Sequence, residues 1–235
     1  MSFLKTLWLW LEQFAQTLAA FVVETLFLLI RCPAMFPVHV RLWEKSLQTS
    51  PYLLSQQAQM QTRSTSNRSD EWTYGEVLLP SIWKGLSWIS WTEDDRLLDL
   101  GSGRGRVVFL GAAMGLRAHG VELLLPLVER GQQIARELEP RASFEHEDLL
   151  KADWSEGTIF WLTGTCLHSE TRQAILEKLL NLGRPFWLLS VTRPLASPLL
   201  PLIREEPIWT TWGRDRLYLQ RFVPSDNRDN LSEEK

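Results

Sequence analysis

The run Leu97-Leu98-Asp99-Leu100-Gly101-Ser102-Gly103-Arg104-Gly105-Arg106 constrains the fold more than any other part of the chain. An apolar stretch carrying one acid passes straight into a glycine-rich turn, and an apolar helical pattern follows. Glycines at alternate positions let the backbone turn sharply and come close to a ligand. Free N–H groups at the following helix start can hold a negative group such as a carboxylate. The spacing is Gly-x-Gly-x-Gly, whereas a dinucleotide-binding loop reads Gly-x-Gly-x-x-Gly, its third gap leaving room for a pyrophosphate. No Gly-Lys-Ser/Thr follows, which excludes a nucleoside-triphosphate loop. A second strand pattern ends in Gly120-Val121-Glu122, and Glu122 stands 21 residues beyond Gly101, where such folds hold the hydroxyls of a ribose. The expected ligand joins an adenosine to an amino acid. Without that context, Gly-Ser-Gly is a tight loop and Glu122 a solvated strand end.

Around this run, strand and helix patterns alternate, the signature of a mostly parallel α/β sheet with helices on both faces. Glu76 to Trp88 reads as a helix, Arg96 to Leu100 as a buried strand and Gly105 to Gly115 as a helix. A strand at Ala118 to Val121 and a helix at Pro126 to Leu138 come next. Strands at Ser143 to Glu145 and Thr158 to Leu162, a helix at Ser169 to Asn181 and a strand at Phe186 to Val191 complete the alternation. Glu206 to Trp212 and Arg216 to Val223, separated by Gly213-Arg214-Asp215, predict an antiparallel hairpin at the sheet edge. The expected fold is a Rossmann-like sheet over residues 71–223, and the polar tail 224–235 is expected to stay disordered.

The N-terminal segment, 1–61, reads as helical. Lys5, Glu12 and Glu24 interrupt its apolar start, leaving uncharged runs of 11 residues (Gln13 to Val23) and 6 residues (Thr25 to Ile30), short of the roughly 20 needed to cross a bilayer. Glu12, Gln13, Gln16 and Glu24 fall on one helical stripe. They leave a broad apolar face with Trp8, Leu11, Leu18, Phe21, Val22, Thr25 and Leu29. Such a face packs on the rest of the protein or a partner subunit, or it lies at a membrane interface, an option Arg31 and Arg41 favour. Pro33 and Pro37 end this helix, a second helical stretch covers Val38 to Gln61, and Thr62 to Asp70 reads as a polar, mobile link.

Composition narrows the function classes. A chain 45% hydrophobic with 12 Trp and 10 Phe folds around a substantial core. A net charge of -3 lacks the basic excess of a protein that grips nucleic acid through phosphates, so none is expected as a partner. Cys32 and Cys166 lie outside any CxxC spacing, and the four histidines form no ligand pair. No metal site and no disulfide are expected, and a reducing, cytoplasmic setting fits. Asn67-Arg68-Ser69 and Asn230-Leu231-Ser232 match the glycosylation sequon only by chance on this reading.

Thr73-Tyr74-Gly75-Glu76, the Asp99-Leu-Gly-Ser-Gly-x-Gly run with Val107-Val108, Gly120-Val121-Glu122 and Asp148-Leu149 together resemble the disruptor-of-telomeric-silencing type of lysine methyltransferase and its bacterial relatives. The resemblance covers roughly Glu71 to Pro194, and the Tyr-Gly-Glu lead-in is more specific than the glycine loop. It implies a class I methyltransferase that uses S-adenosyl-L-methionine and acts on a protein substrate. Tyr74, Gly75 and Glu76 would then lie over the methionine end of the cofactor. Asp99, Gly101, Ser102, Gly103 and Gly105 would hold its amino-acid part, and Glu122 the ribose. Asp148 would accept from the adenine amino group, and Leu149 would pack on the ring. Where the family usually has an asparagine near the transferring methyl, this chain has Thr163, so Tyr74 and Thr163 become the catalytic candidates. The basic nucleosome-binding tail of the family is missing. Trp72, Tyr74 and Trp161 either line an acceptor channel or pack in the core. Two other functions stay open: a class I methyltransferase of a small molecule or lipid, reached through the N-terminal helix, and an inactive cofactor-binding interaction module.

Overall fold

The computed structural model describes residues 3–63 and 67–224, with side chains of the first helix from Thr17 onward. The tail beyond Pro224, for which disorder was expected, lies outside the described residues. Helices α1 (Phe3–Arg31), α2 (Phe36–Gln48) and α3 (Pro51–Thr62) precede the alternating region. That region contains α4 (Leu79–Leu86), β1 (Arg96–Leu100), α5 (Arg106–Met114), β2 (Arg117–Glu122), α6 (Leu125–Leu138), β3 (Ala142–His146), β4 (Ile159–Leu162), α7 (Ser169–Leu180), β5 (Phe186–Val191), β6 (Leu202–Thr210) and β7 (Gly213–Phe222).

The seven strands form one sheet in the order β3-β2-β1-β4-β5-β7-β6. The pairs β3·β2, β2·β1, β1·β4 and β4·β5 are parallel, while β7 runs antiparallel to both β5 and β6. The expected C-terminal hairpin is therefore present, but the chain reverses at Thr211-Trp212, and Gly213 already belongs to β7. Side chains along each central strand alternate between two cores. Leu97, Ile159 and Trp161 face a layer containing α4, α5 and α6 residues, and Leu98, Phe160 and Leu162 face α7. Strand order reverses between β1 and β4, so the loops at their C-terminal ends diverge and leave a crevice there.

Several sequence expectations are corrected. The helix expected from Glu76 begins at Leu79, with Pro80 in its first turn. Glu76 to Leu78 stay extended because Val77 pairs with Thr210, the Leu78 amide donates to Trp209 O (3.1 Å) and Glu76 O accepts from the Thr211 amide (2.8 Å). The single helix expected over 38–61 is two, since Ser50 is extended ahead of Pro51. Nor do residues 67–70 form a free link: Arg68 pairs with Glu71 (2.7 Å) and with Asp148 (3.2 Å). Leu28, Met35, Val38 and Leu42 belong to the same core as Leu97 and Val107, so the N-terminal helices and the sheet share one interior.

Of the placements open to the apolar face of α1, packing on the rest of the protein holds only in part. Glu24, from the polar stripe, is inside and 1% exposed. The helix's aliphatic residues Leu18, Val22, Val23, Leu26, Leu29 and Ile30 face out, Ile30 with 78% of its surface exposed. Phe21 and Thr25, from the same expected face, are half-buried against α2, where Phe21 stacks on His39 at 5.2 Å. Trp8 and Leu11 lie outside the described side chains.

Candidate functional site

A cavity of about 430 Å³ opens at the crevice, within the size range of small-molecule sites. Loops after β1, β2, β3 and β4 wall it, closed on one side by the 71–77 segment and by Trp212 from the β6–β7 turn. Tyr74, Gly75, Glu76, Asp99, Gly101, Ser102, Gly103, Glu122, Asp148, Leu149 and Thr163 all line it. Residues up to 144 positions apart in sequence, Arg68 and Trp212, are brought to this end of the sheet only by the topology.

Gly105 does not line the cavity. Its φ is +86°, and a Cβ there would lie 2.5 Å from the Phe144 ring, so it is glycine for conformation and packing rather than for a ligand. Gly75 is glycine for a close approach, because a Cβ would meet the Trp212 ring at 2.7 Å. The loop also spends its own amides. Gly101 and Ser102 donate to Val121 O at 3.0 Å, Gly103 to Glu122 Oε2 at 2.7 Å and Gly105 to Ser102 O at 2.8 Å. A negative group is therefore left the first turn of α5 and not the amides of Gly101, Ser102, Gly103 or Gly105.

The acids divide into two kinds. Asp99 is buried and has no hydrogen-bond or ion-pair partner among the described residues. Withdrawal from water, with the charge of Glu122 adding to it, raises its carboxyl well above the ordinary carboxylate range. Glu122 is also raised by burial, against the opposing amides of Leu124 (2.8 Å) and Gly103. Two carboxylates held this way form a site for a cationic or hydroxyl-bearing ligand. Glu76 is of the other kind. Its Oε1 accepts from Tyr74 Oη (2.5 Å) and lies 2.5 Å from Arg104 Nε, and its Oε2 accepts from Arg104 Nη2 (2.6 Å) with Arg106 Nη1 at 3.5 Å. Burial works to raise its pKa, but Arg104 and Arg106 win and keep it below its ordinary value. Glu76 thus anchors Tyr74 and has no free oxygen for a ligand's ammonium. Sequence reasoning missed Arg104 and Arg106, although two arginines inside a glycine turn and an apolar helix start were the available signal.

Asp148 is partly engaged, Oδ1 accepting from the Leu150 amide (2.9 Å) and Oδ2 from Arg68 (3.2 Å). Thr163 Oγ1 accepts from Trp161 Nε1 at 3.0 Å. Trp161 is fully buried in the core and does not line the cavity, whereas Trp72, Tyr74 and Trp212 do. The threonine hydroxyl satisfies a buried indole N–H that would otherwise be orphaned. Behind this loop, Thr165 Oγ1 meets Thr192 Oγ1 (3.0 Å), and Asp215 Oδ2 accepts from both Thr192 and Trp212 Nε1 at 2.8 Å. Thr192, with φ +74°, is the one described non-glycine residue in the left-handed region, a strain that marks functional loops.

No protein-family profile matches the chain, and no curated protein matches it. Solved structures do. An RNA methyltransferase from Salinibacter ruber, in complex with S-adenosyl-L-homocysteine, is 26% identical with a TM-score of 0.52, over 62% of this chain and 92% of that one. Magnesium protoporphyrin IX methyltransferase from Synechocystis PCC 6803, with bound S-adenosylmethionine, is 15% identical with a TM-score of 0.50, over 62% and 78%. The fold is that of class I methyltransferases. The [4+2]-cyclase SpnF shares it, at 14% identity and a TM-score of 0.50 over 63% of this chain and 81% of that one. One fold thus hosts different reactions, and the reaction has to be argued from the site. None of the three is named for a protein-lysine substrate.

Proposed function

We propose that this chain is an S-adenosylmethionine-dependent methyltransferase that places the methyl group on a lysine amine of a protein. The observation that carries the reading is the partner-free, buried carboxyl of Asp99 beside Glu122, at the C-terminal ends of adjacent strands β1 and β2. The residues present fit the cofactor. Asp99 would take its ammonium, and Glu122 keeps a lone pair on each oxygen for two ribose hydroxyls. Asp148 would accept from the adenine amino group, with Leu149 against the ring. Bound S-adenosylmethionine supplies an electrophilic methyl carbon on a sulfonium.

The chain's own residues then have to align an acceptor and exclude water. No histidine lines the cavity. Glu71 and Glu76 at its rim are committed, Glu71 to Arg68 and the His168 amide (2.7 Å each) and Glu76 to Arg104. A hydroxyl acceptor needs such a base, whereas an amine only has to lose its proton, which leaving water for an apolar wall promotes. Trp72, Tyr74 and Trp212 supply that wall. A second reading is favoured by the outward aliphatic face of α1, which suits a lipid surface. The acceptor is then a membrane-borne amine, and the protein sits at the bilayer interface.

The test is incubation of the full chain with radiolabelled S-adenosylmethionine and a cell lysate separated into protein, lipid and small molecules. Label on protein lysine is the expected result. Label confined to lipid or small molecules overturns the lysine assignment and keeps the methyltransferase. Cofactor binding without transfer makes the protein a binding module, and absence of binding overturns the whole reading.

A further inference from the structure

We infer that Glu24 of α1, outside the cavity, is a positioning residue that sets the charge and geometry of the cofactor site through Arg106 and Glu76. The inference rests on the cofactor reading above. Its basis is a buried relay. Glu24 Oε1 pairs with Arg106 Nη2 and accepts from the Leu79 amide (2.9 Å). Arg106 opens α5, donates from Nε to Val77 O (3.3 Å) and reaches Glu76 with its other nitrogen at 3.5 Å. Glu76 in turn accepts from Tyr74, whose ring lies 3.0 Å from where a Cβ on Gly103 would stand. An acid on the first helix is thereby linked, in three contacts, to the aromatic ring lying over the glycine loop.

Charge explains why the acid is needed. Glu24, Glu76, Arg104 and Arg106 are all buried, two negative and two positive. Without Glu24, two guanidinium groups share the single carboxylate of Glu76, and the surplus positive charge sits in a low-dielectric wall of the cavity, where it is poorly screened. The cofactor carries a sulfonium, an ammonium and a carboxylate and is cationic overall, whereas its neutral thioether counterpart has lost the sulfonium charge, so that surplus opposes the first more than the second. Glu24 also keeps an oxygen, Oε2, buried with no hydrogen-bond partner among the described residues.

The test is Glu24→Gln in the full chain, reading dissociation constants for S-adenosylmethionine and S-adenosylhomocysteine by calorimetry and folding by circular dichroism. Loss of the balancing charge weakens the sulfonium ligand about tenfold and the neutral thioether no more than about threefold. A merely structural role lowers both affinities alike. Glu24→Gln with Arg106→Gln restores the balance and is expected to recover the wild-type ratio of the two constants. It also serves where the single variant does not fold. An unchanged ratio in the folded single variant, or a double variant whose ratio departs from wild type by tenfold, overturns the inference. A wild-type protein that binds neither ligand defeats the cofactor reading instead.

Discussion

Asp99 holds its place against its own stability. Its carboxyl is raised by burial and by Glu122, so the folded chain holds that proton to higher pH than the unfolded chain, whose ordinary value is 3.8. A carboxyl raised in the folded state contributes stability that is fully present below the unfolded value and is lost as pH rises toward the folded one. Asp99→Asn removes that loss. Without ligand, the variant is expected to match the wild type below the ordinary carboxylate value and to melt progressively higher than it as pH rises above that value. The same change leaves the ligand's cation without a counter-charge, so cofactor affinity is expected to fall by at least about tenfold. Melting curves across this pH range, paired with calorimetry, check both halves. A variant that melts lower than wild type at neutral pH and still binds would show that Asp99 is a structural acid.

At the scale of elements, much of the fold could be read from the sequence, because local pattern decides it. Strand β1 matches its expected bounds of Arg96 and Leu100, and β5 those of Phe186 and Val191, since both are apolar runs buried on two faces. Ten of the eleven residues expected to hold the cofactor line the cavity, seven of them at or just after the C-terminal ends of β1, β2 and β3, which topology places together. The orientation of α1 was not legible. A helical stripe of polar residues reads as outward, and the partner that turns Glu24 inward, Arg106, lies 82 positions away. The helix pair α1–α2 carries a second hidden feature. His39 is lowered to about 3, chiefly by burial and then by Arg106 and Arg104, and its Nε2 lies 3.4 Å from Thr25 Oγ1. The native state keeps it neutral, while the unfolded chain binds a proton below its ordinary 6.5, so stability falls as pH drops from about 6.5 toward 3. His39→Gln is expected to lose some stability at pH 7 yet to lose less than wild type between about pH 7 and 5. Parallel losses in the two proteins would remove His39 from this account.

For the molecule as a whole, the inversion of α1 leaves a large apolar surface outside a folded core. From Thr17 to Ile30 every exposed residue is uncharged, and Arg31, the next residue, is an exposed charge. A protein interface is expected to carry a polar rim around its apolar centre. Here the flanks of the stripe, Val23 and Ile30, are as apolar as its middle, which suits hydrocarbon on all sides. The terminal arginine is placed to reach the headgroups. Among the described residues no helix is long and apolar enough to cross a membrane, and Glu24 ties the opposite face of α1 to Arg106, so the membrane reading proposed above requires a helix lying along the interface. Full-length protein is therefore expected to float with phosphatidylcholine vesicles, because buried apolar area drives the contact. Adding anionic lipid is expected to strengthen it only slightly, given the net charge of -3. Leu26→Glu and Ile30→Glu together place two charges on the outer face without touching the Glu24 side. They are expected to abolish flotation while leaving cofactor affinity within about twofold of wild type. Were wild type to stay with the soluble fraction as a dimer that this pair of changes makes monomeric, the stripe would be a subunit interface, and the membrane-borne acceptor would lose its support.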